Sequence, residues 1–254
     1  MESVAVVIPT LNEERSIGNV IDGVPVADLL QKGLETTVYV IDGISTDHTR
    51  EIAVQKGATI ILEAQKGKGA AVQTAFKSIN ADYAIMVDGD DTYPISAVSE
   101  LVGQLQTHDV VMGSRLTGTM QPGAMTTLNA AGNILLSLLA RALFGARISD
   151  VCTGLWGYRR DAIQCLQLSA RGFEIEADMF AECVRQGLRI TEIPITYRAR
   201  KDQPKLSSLR DGVKIGLFLC KRRLRLERPK PSESQTAERT ERPKPIGGGN
   251  DVGH

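Results

Sequence analysis

Five short apolar runs, each separated from the next by a stretch of helical spacing, occupy the chain through residue 115, and this rhythm narrows the possible folds more than any other feature. Residues 3–8, 37–41, 59–62, 83–87 and 110–112 read as buried strands, and 15–22, 47–56, 69–78 and 97–106 as the helices between them. A strand apolar on both faces and followed by a crossing helix pairs in parallel with its successor. The expected fold is therefore α/β: a mostly parallel, twisted sheet flanked by helices, with right-handed crossovers. Ligands of such open sheets bind outside the carboxyl ends of the strands, so function is sought in the strand-to-helix loops.

The most informative of those loops is VDGDDTYP (87–94), where an apolar run delivers Asp88, Asp90 and Asp91 within four positions and stops at Pro94. Gly89 between the first two lets backbone and ligand approach closely, so Asp88 and Asp90 suit one hard divalent cation that also holds phosphate oxygens. An acidic turn is the plain alternative, since Asp and Gly are favoured in turns for backbone reasons. After the first run comes PTLNEE (9–14), with Pro9 ending the strand and Asn12, Glu13 and Glu14 placed to bind a polar ligand or cap the next helix. After the second comes DGISTDHT (42–49), where Asp42 closes the strand and Thr46 or Asp47 caps the helix. KGKGAA (66–71), with Lys68 at its centre, is a basic glycine-rich loop opening a helix, as a phosphate cradle would be. It is neither a dinucleotide fingerprint, whose third glycine would fall at Val72, nor a P-loop, since no Gly-Lys-Ser/Thr ends it. Gly113-Ser114-Arg115 places a guanidinium on the same edge, where it can balance phosphate charge.

With 254 residues, 42% of them hydrophobic, one sizeable α/β domain over residues 1–226 is expected. Cys152, Cys165, Cys183 and Cys220 lack Cys-x-x-Cys spacing and His48, His108 and His254 stand alone, which argues against structural zinc and a disulfide framework and fits a reducing compartment. The N-terminus enters a strand directly, without a secretory signal pattern. The zero net charge hides segregation: residues 1–197 carry 15 Lys and Arg against 23 Asp and Glu, a balance of −8, whereas residues 198–230 carry 12 against 3, a balance of +9. Such a block points to an anionic partner or a solvated face. Phe218 is its one aromatic residue, which argues against single-stranded nucleic acid, and no nucleic-acid partner is expected. Residues 227–254, rich in Pro, Ser, Glu, Lys and Gly with ERPKP at 227–231 and 241–245, are expected to be a disordered polar tail.

Two segments bear on membranes. Residues 128–144 form an apolar helical stretch of 17 residues in which Asn129, Asn133, Ser137 and Arg141 recur four apart as one polar stripe. That pattern reads as an interfacial or core helix, with no clear transmembrane span. Residues 209–226 are a second interfacial candidate, their apolar run 215–220 followed by KRRLRLERPK.

VVIPTLNEE, VIDGISTDHT, KGKGAAV, VDGDDTYP, VVMGSR, LNAAGNILLSLLARALFG, SDVCTGLWGYRRD and GFEIEADM, in this order, resemble the family 2 glycosyltransferases of GT-A fold, and more narrowly the dolichyl-phosphate or polyprenyl-phosphate sugar synthases, over residues 3–225. The resemblance implies that Pro9, Leu11 and Glu13 contact the base and ribose of a UDP- or GDP-linked sugar and that Asp42 contacts the base. It further implies that Asp88 and Asp90 bind Mg2+ or Mn2+ and the diphosphate with Gly89 backing the ribose, that Arg115 lies near the phosphates, and that Arg200 and Lys205 hold phosphate. The sequence departs from the family where Gln203-Pro204 stands in place of the usual Gly-x-Ser before the lysine.

The chemistry follows from the leaving group. A nucleoside-diphosphate sugar departs as a diphosphate, so positive charge must meet its oxygens; a divalent ion, Arg115 and the loop lysines are suited to that. A polyprenyl phosphate acceptor arrives anionic and needs a positive docking site, for which RARKDQPK (198–205) serves, rather than a base. A hydroxyl acceptor would instead need a carboxylate base, and Glu174, Glu176 and Asp178 are the candidates, unless they only open the helix that follows. In-line displacement inverts the anomeric centre. The expected enzyme is an inverting hexosyltransferase, peripheral on the cytoplasmic face of a membrane.

Overall fold

The computed structural model describes residues 1–200 and 208–226; Lys205 and the tail expected over 227–254 lie outside them. Strands β1 (Glu2–Thr10), β2 (Leu34–Asp42), β3 (Thr59–Leu62), β4 (Tyr83–Met86), β5 (Val110–Met120), β6 (Trp156–Arg159) and β7 (Ile190–Tyr197) form one sheet in the order β3-β2-β1-β4-β6-β5-β7. β1 pairs in parallel with β2 and β4, β2 with β3, and β5 with β7. The early apolar runs therefore produce the parallel half that their spacing predicts. Helices α1 (Ile17–Asp22), α2 (Val26–Gln31), α3 (Thr49–Gln55), α4 (Lys68–Ser78) and α5 (Val98–Gln104) follow those strands, and the short α2 was not foreseen.

The sheet is mixed because β6 inserts antiparallel between β4 and β5. Its Trp156 and Tyr158 are fully buried, with rings stacked 5.9 Å apart, and Gly157 lies flat where a side chain would press Ile85 and Leu105. β7 contains Pro194, a residue the interior of a sheet rejects; it is tolerated because β7 is the edge. Two main apolar clusters fill the layers beside the sheet. One is built on Val6, Ile8, Ile85 and Leu101, the other on Met112, Trp156, Phe180 and Leu219.

The remaining helices are α6 (Thr127–Phe144), α7 (Arg160–Cys165), α8 (Ile175–Arg185) and α9 (Ser208–Leu226). α6 starts on Thr126, whose hydroxyl accepts the Asn129 N–H at 3.2 Å, and stops at Gly145 in the left-handed conformation. Part of its polar stripe turns inward: buried Ser137 accepts the Val151 N–H at 3.1 Å, while Leu128, Ile134, Leu135 and Leu138 are exposed. α6 is 18 residues long with a mean hydropathy of 1.3, long and apolar enough by those measures to cross a membrane, where no clear span was expected. α9 lies against it, with Gly216 beside Leu136 and Leu139, and leaves Leu209, Val213, Leu217 and Leu224 exposed. All four cysteines are free thiols.

Candidate active site

The chain order reverses between β1 and β4, which puts their carboxyl ends side by side at a switch point. Val87 N–H donates to the Val7 carbonyl at 3.0 Å, and the next four residues turn away above the sheet. Asp91 takes a left-handed φ of 61° to make that turn. Gly89 has to be glycine here, because a Cβ would lie 2.9 Å from the Thr10 methyl group, and its carbonyl accepts the Ser16 hydroxyl at 2.7 Å. Asp90 is buried and fixed by the Thr92 N–H at 3.1 Å and hydroxyl at 2.5 Å, and its second oxygen is ion-paired with Arg200. Asp88 remains partly open and pairs with Lys68 at 2.5 Å; Lys68 also meets Glu176 at 2.5 Å. Gly154 from the loop before β6 presses on the Asp88 carboxylate so closely that any Cβ would collide with it.

The electrostatics show how tightly these groups converge. Burial works against the Lys68 charge, yet Asp88 and Glu176 hold the ammonium above its ordinary pKa. Burial likewise opposes the Arg200 charge, and Asp90, Tyr197, Asp88 and Glu13 together raise its pKa. Asp88, Asp90 and Glu13 therefore share one field. Glu176 is pushed up, first by burial and then by the negative Asp88, with Lys68 opposing. As a donor set for a cation, Asp88 and Asp90 supply hard oxygens from two carboxylates. Among the described residues no group of three or more His, Cys, Asp or Glu side chains is gathered, so ligand and water oxygens would complete a shell, as suits Mg2+ or Mn2+.

The loops after β1 and β2 are stitched into one wall. Asn12 N–H donates to Ser45 Oγ at 2.9 Å, Thr46 N–H to Asn12 Oδ1 at 2.8 Å, Glu13 N–H to Thr49 Oγ1 at 2.8 Å, and Gly43 N–H to the Thr10 carbonyl at 2.9 Å. Asp42 is fully buried; its Oδ1 accepts the Ser45 N–H at 2.9 Å, whereas Oδ2 finds no hydrogen-bond donor among the described residues. A buried acceptor without a donor calls for an explanation, and an N–H from a ligand would satisfy it. Leu11 and Ile44 stand exposed beside it, and Ile44 holds a φ of 65°, a strained value for a β-branched residue. Pro9 lies in β1 opposite Ile41 and is buried in the sheet.

Two of the expected site residues are engaged by partners within the fold. Arg115 does not turn a free fork to the cleft: its Nε and Nη2 donate to Asp150 at 2.7 and 2.8 Å, and its guanidinium lies over the Tyr197 ring. Burial opposes the Arg115 charge, but neighbouring Tyr93 and Asp150 raise its pKa well above the ordinary value. Its work is to hold the loop before β6, and that loop in turn props Asp88. Asp178 is no base, because it is fully buried and accepts the N–H groups of Ser169 at 2.5 Å and Ala170 at 2.7 Å. Glu174 sits half-buried at the start of α8, and Glu176 is the member of that trio at the cleft. Sequence reasoning missed Asp150, Glu192, which accepts the Ser149 and Asp150 N–H groups, and Tyr93, whose hydroxyl accepts the Gly154 N–H at 2.6 Å. The motif SDVCTG was the available signal for the first of these.

Comparison with known proteins agrees with this architecture. Residues 5–167 match glycosyl transferase family 2. The chain is 36% identical over 225 residues to the glycosyltransferase AglJ of Haloferax volcanii, covering 87% of this chain and 72% of that protein. It is 34% identical to a dolichyl-phosphate hexose transferase of the same organism, covering 87% and 93%. Glucosyl-3-phosphoglycerate synthase of Mycobacterium tuberculosis, solved with Mn2+, UDP and glucosyl-3-phosphoglycerate, superposes with a TM-score of 0.68 at 24% identity over 89% of this chain and 80% of its own, and so shares the fold. With the family match spanning well over half its length and carrying the Asp88–Asp90 turn, the chain belongs to glycosyl transferase family 2.

Proposed function

We propose that this glycosyltransferase moves a hexose or N-acetylhexosamine from a nucleotide-diphosphate sugar to a polyprenyl phosphate, with inversion, at the cytoplasmic face of a membrane, for glycan assembly. The observation that carries the reading is the pairing of Asp88 with Lys68 and of Asp90 with Arg200 at one strand edge. Two carboxylates and two partly buried cations in one cleft are the charges that a divalent ion and a diphosphate exchange partners with. Asp88 and Asp90 would hold Mg2+ or Mn2+, which supplies positive charge to the departing diphosphate. Lys68 and Arg200, released from the carboxylates, then contact phosphate oxygens directly. The orphan Asp42 Oδ2 accepts a base N–H, Leu11 and Ile44 cover the base faces, and Pro9, Glu13 and Gly89 line the ribose.

The acceptor reading is supported by the named activity of the dolichyl-phosphate hexose transferase relative and by the exposed apolar faces of α6 and α9 beside Arg210, Lys214 and Lys221. A phosphate acceptor is already a nucleophile and needs no base. Lys205, in the basic stretch before α9, completes the phosphate contacts in this proposal. A hydroxyl acceptor remains the second reading, favoured by one observation: Glu176 lies at the cleft with its carboxyl pushed up, as befits a proton acceptor. Turnover of UDP- and GDP-linked sugars with radiolabelled polyprenyl phosphate, with and without chelator, tests the proposal. Lipid-linked product that disappears with chelator is expected; transfer only to soluble hydroxyl acceptors would overturn the lipid reading.

A further inference from the structure

The ammonium of Lys68 is held at the cleft by Asp88 and Glu176, but its backbone is held by something else. Lys68, the first residue of α4, lies between the capping Gly67, with a φ of 114°, and Gly69, and the chain at 170–172 runs directly across both glycines. A Cβ on either would strike the Ala170 or Arg171 carbonyl, Ala70 N–H donates to the Arg171 carbonyl at 3.2 Å, and Gln73 Nε2 to the Ala170 carbonyl at 2.7 Å. The position of Lys68 is thus set by where residues 169–171 lie. Those residues are tied down by α8, through the buried Asp178 carboxylate that accepts the Ser169 and Ala170 N–H groups.

The cation that neutralises Asp178 comes from α9. Arg222 Nη2 lies 2.8 Å from Asp178 Oδ1 and 2.7 Å from Glu182 Oε2, and it donates to the Gln167 carbonyl at 3.2 Å; its side chain is largely buried. Glu182 has a second cation in Arg185, whereas Arg222 is the one cation the structure places on Asp178 among the described residues. Removing it leaves a buried carboxylate without its counter-charge and beside a second carboxylate one turn away, a state that buried groups avoid by moving. The segment Asp178 holds would move with it.

We propose that Arg222 is a positioning residue for Lys68: it fixes the 169–171 segment through Asp178 and thereby sets the affinity of the cleft for the diphosphate of the donor. This rests on the reading that Lys68 binds that diphosphate. It also gives α9, whose other face is exposed and apolar, a structural line to the active site.

The test is calorimetric titration of Mn2+-UDP and Mn2+-GDP, separately, into the full chain and its variants, with thermal unfolding recorded to keep each folded at the titration temperature. Arg222→Met should weaken the nucleotide that binds the parent by about tenfold, within the usual range of coupling between sites. Arg222→Lys should recover most of the affinity. Arg185→Met, which breaks a pair to Glu182 but does not touch Asp178, should bind as the parent does. If Arg222→Met does not stay folded, Asp178→Asn is read in its place. Lys68→Met should itself weaken binding, and Arg222→Met added to it should have no further effect, since residues acting through one another are not additive. Unchanged affinity in Arg222→Met alongside weakened binding in Lys68→Met overturns this inference alone, and additive losses overturn the route through Lys68. An unaffected Lys68→Met, or a parent chain that binds neither nucleotide, overturns the reading of the cleft and the inference with it.

Discussion

At the scale of single residues, the site is a set of opposite charges paired with one another at one strand edge. Asp90 is locked by Thr92 and paired with Arg200, so replacing it removes an oxygen donor without creating a large void. Asp90→Ala is expected to lower turnover by about 10²-fold or more, the scale of losing one pre-positioned electrostatic contact. Circular dichroism should be unchanged, and activity near that of the parent would count against the metal assignment. Asp42 makes a different demand, because Oδ2 is buried without a donor and is a cost in the free protein. Asp42→Asn, with its amide nitrogen in the place of Oδ2, should weaken nucleotide binding by about tenfold or more, since hydrogen bonds to a charged group contribute about 1.5–3 kcal/mol. The same variant keeps an oxygen for the Ser45 N–H and should not lower the thermal midpoint by a matching amount, because the orphan oxygen gives the free fold nothing. Equal losses in both measurements would make Asp42 structural.

Among the elements, α6 and α9 depart furthest from the ordinary arrangement of a surface helix. Ser137 and Ala140 of α6 and Ile215 and Leu219 of α9 face the domain, while Leu135 and Leu217 are 68% and 67% exposed. Exposed leucines recur along both of these packed helices, and a soluble protein keeps exposed apolar surface small unless something covers it. Basic side chains along α9 would meet the headgroups of anionic lipid. Vesicles containing phosphatidylglycerol should therefore co-sediment with the protein, and Leu135→Glu with Leu217→Glu should reduce the bound fraction severalfold at unchanged thermal stability. Equal binding of parent and variant would show that this face is not the contact. Beneath these helices, Trp156 of β6 stacks on Tyr158 in the core, and Trp156→Ala should cost about 3–5 kcal/mol in urea unfolding, the usual penalty for deleting a buried large side chain.

At the scale of the whole molecule, the acidic first 197 residues and the basic segment after them are parts of one charge system. Arg198 pairs with Asp91, Arg200 with Asp90, and Arg222 with Asp178 and Glu182, so part of the basic block neutralises carboxylates delivered earlier in the chain. Elsewhere, Arg189 holds Asp109 below its ordinary pKa of 3.8, and the Ser3 backbone and hydroxyl hold Asp82 below the same value. A depressed carboxylate stabilises the fold above the unfolded pKa and loses that contribution as pH falls through the folded value. Urea midpoints should thus decline below about pH 4, and Asp109→Asn should flatten part of that decline; an unaltered slope would show that the Arg189 pair is too exposed to matter. Local pattern sufficed for the parallel half of the sheet, for the α6 and α9 boundaries to within a residue, and for the turn holding Asp88 and Asp90, because those depend on periodicity and on neighbours a few positions apart. It did not suffice for β6, which enters the sheet late in the chain and antiparallel, or for β7, whose proline is acceptable only at an edge. Nor did it reveal that Arg115 is spent on Asp150 or that Asp178 holds backbone rather than substrate. The Arg115 pair spans 35 residues of chain, and Asp178, though its backbone partners lie 8 and 9 residues away, is balanced by Arg222 on another helix; a charged side chain's partner is chosen by packing in three dimensions, which sequence order does not contain.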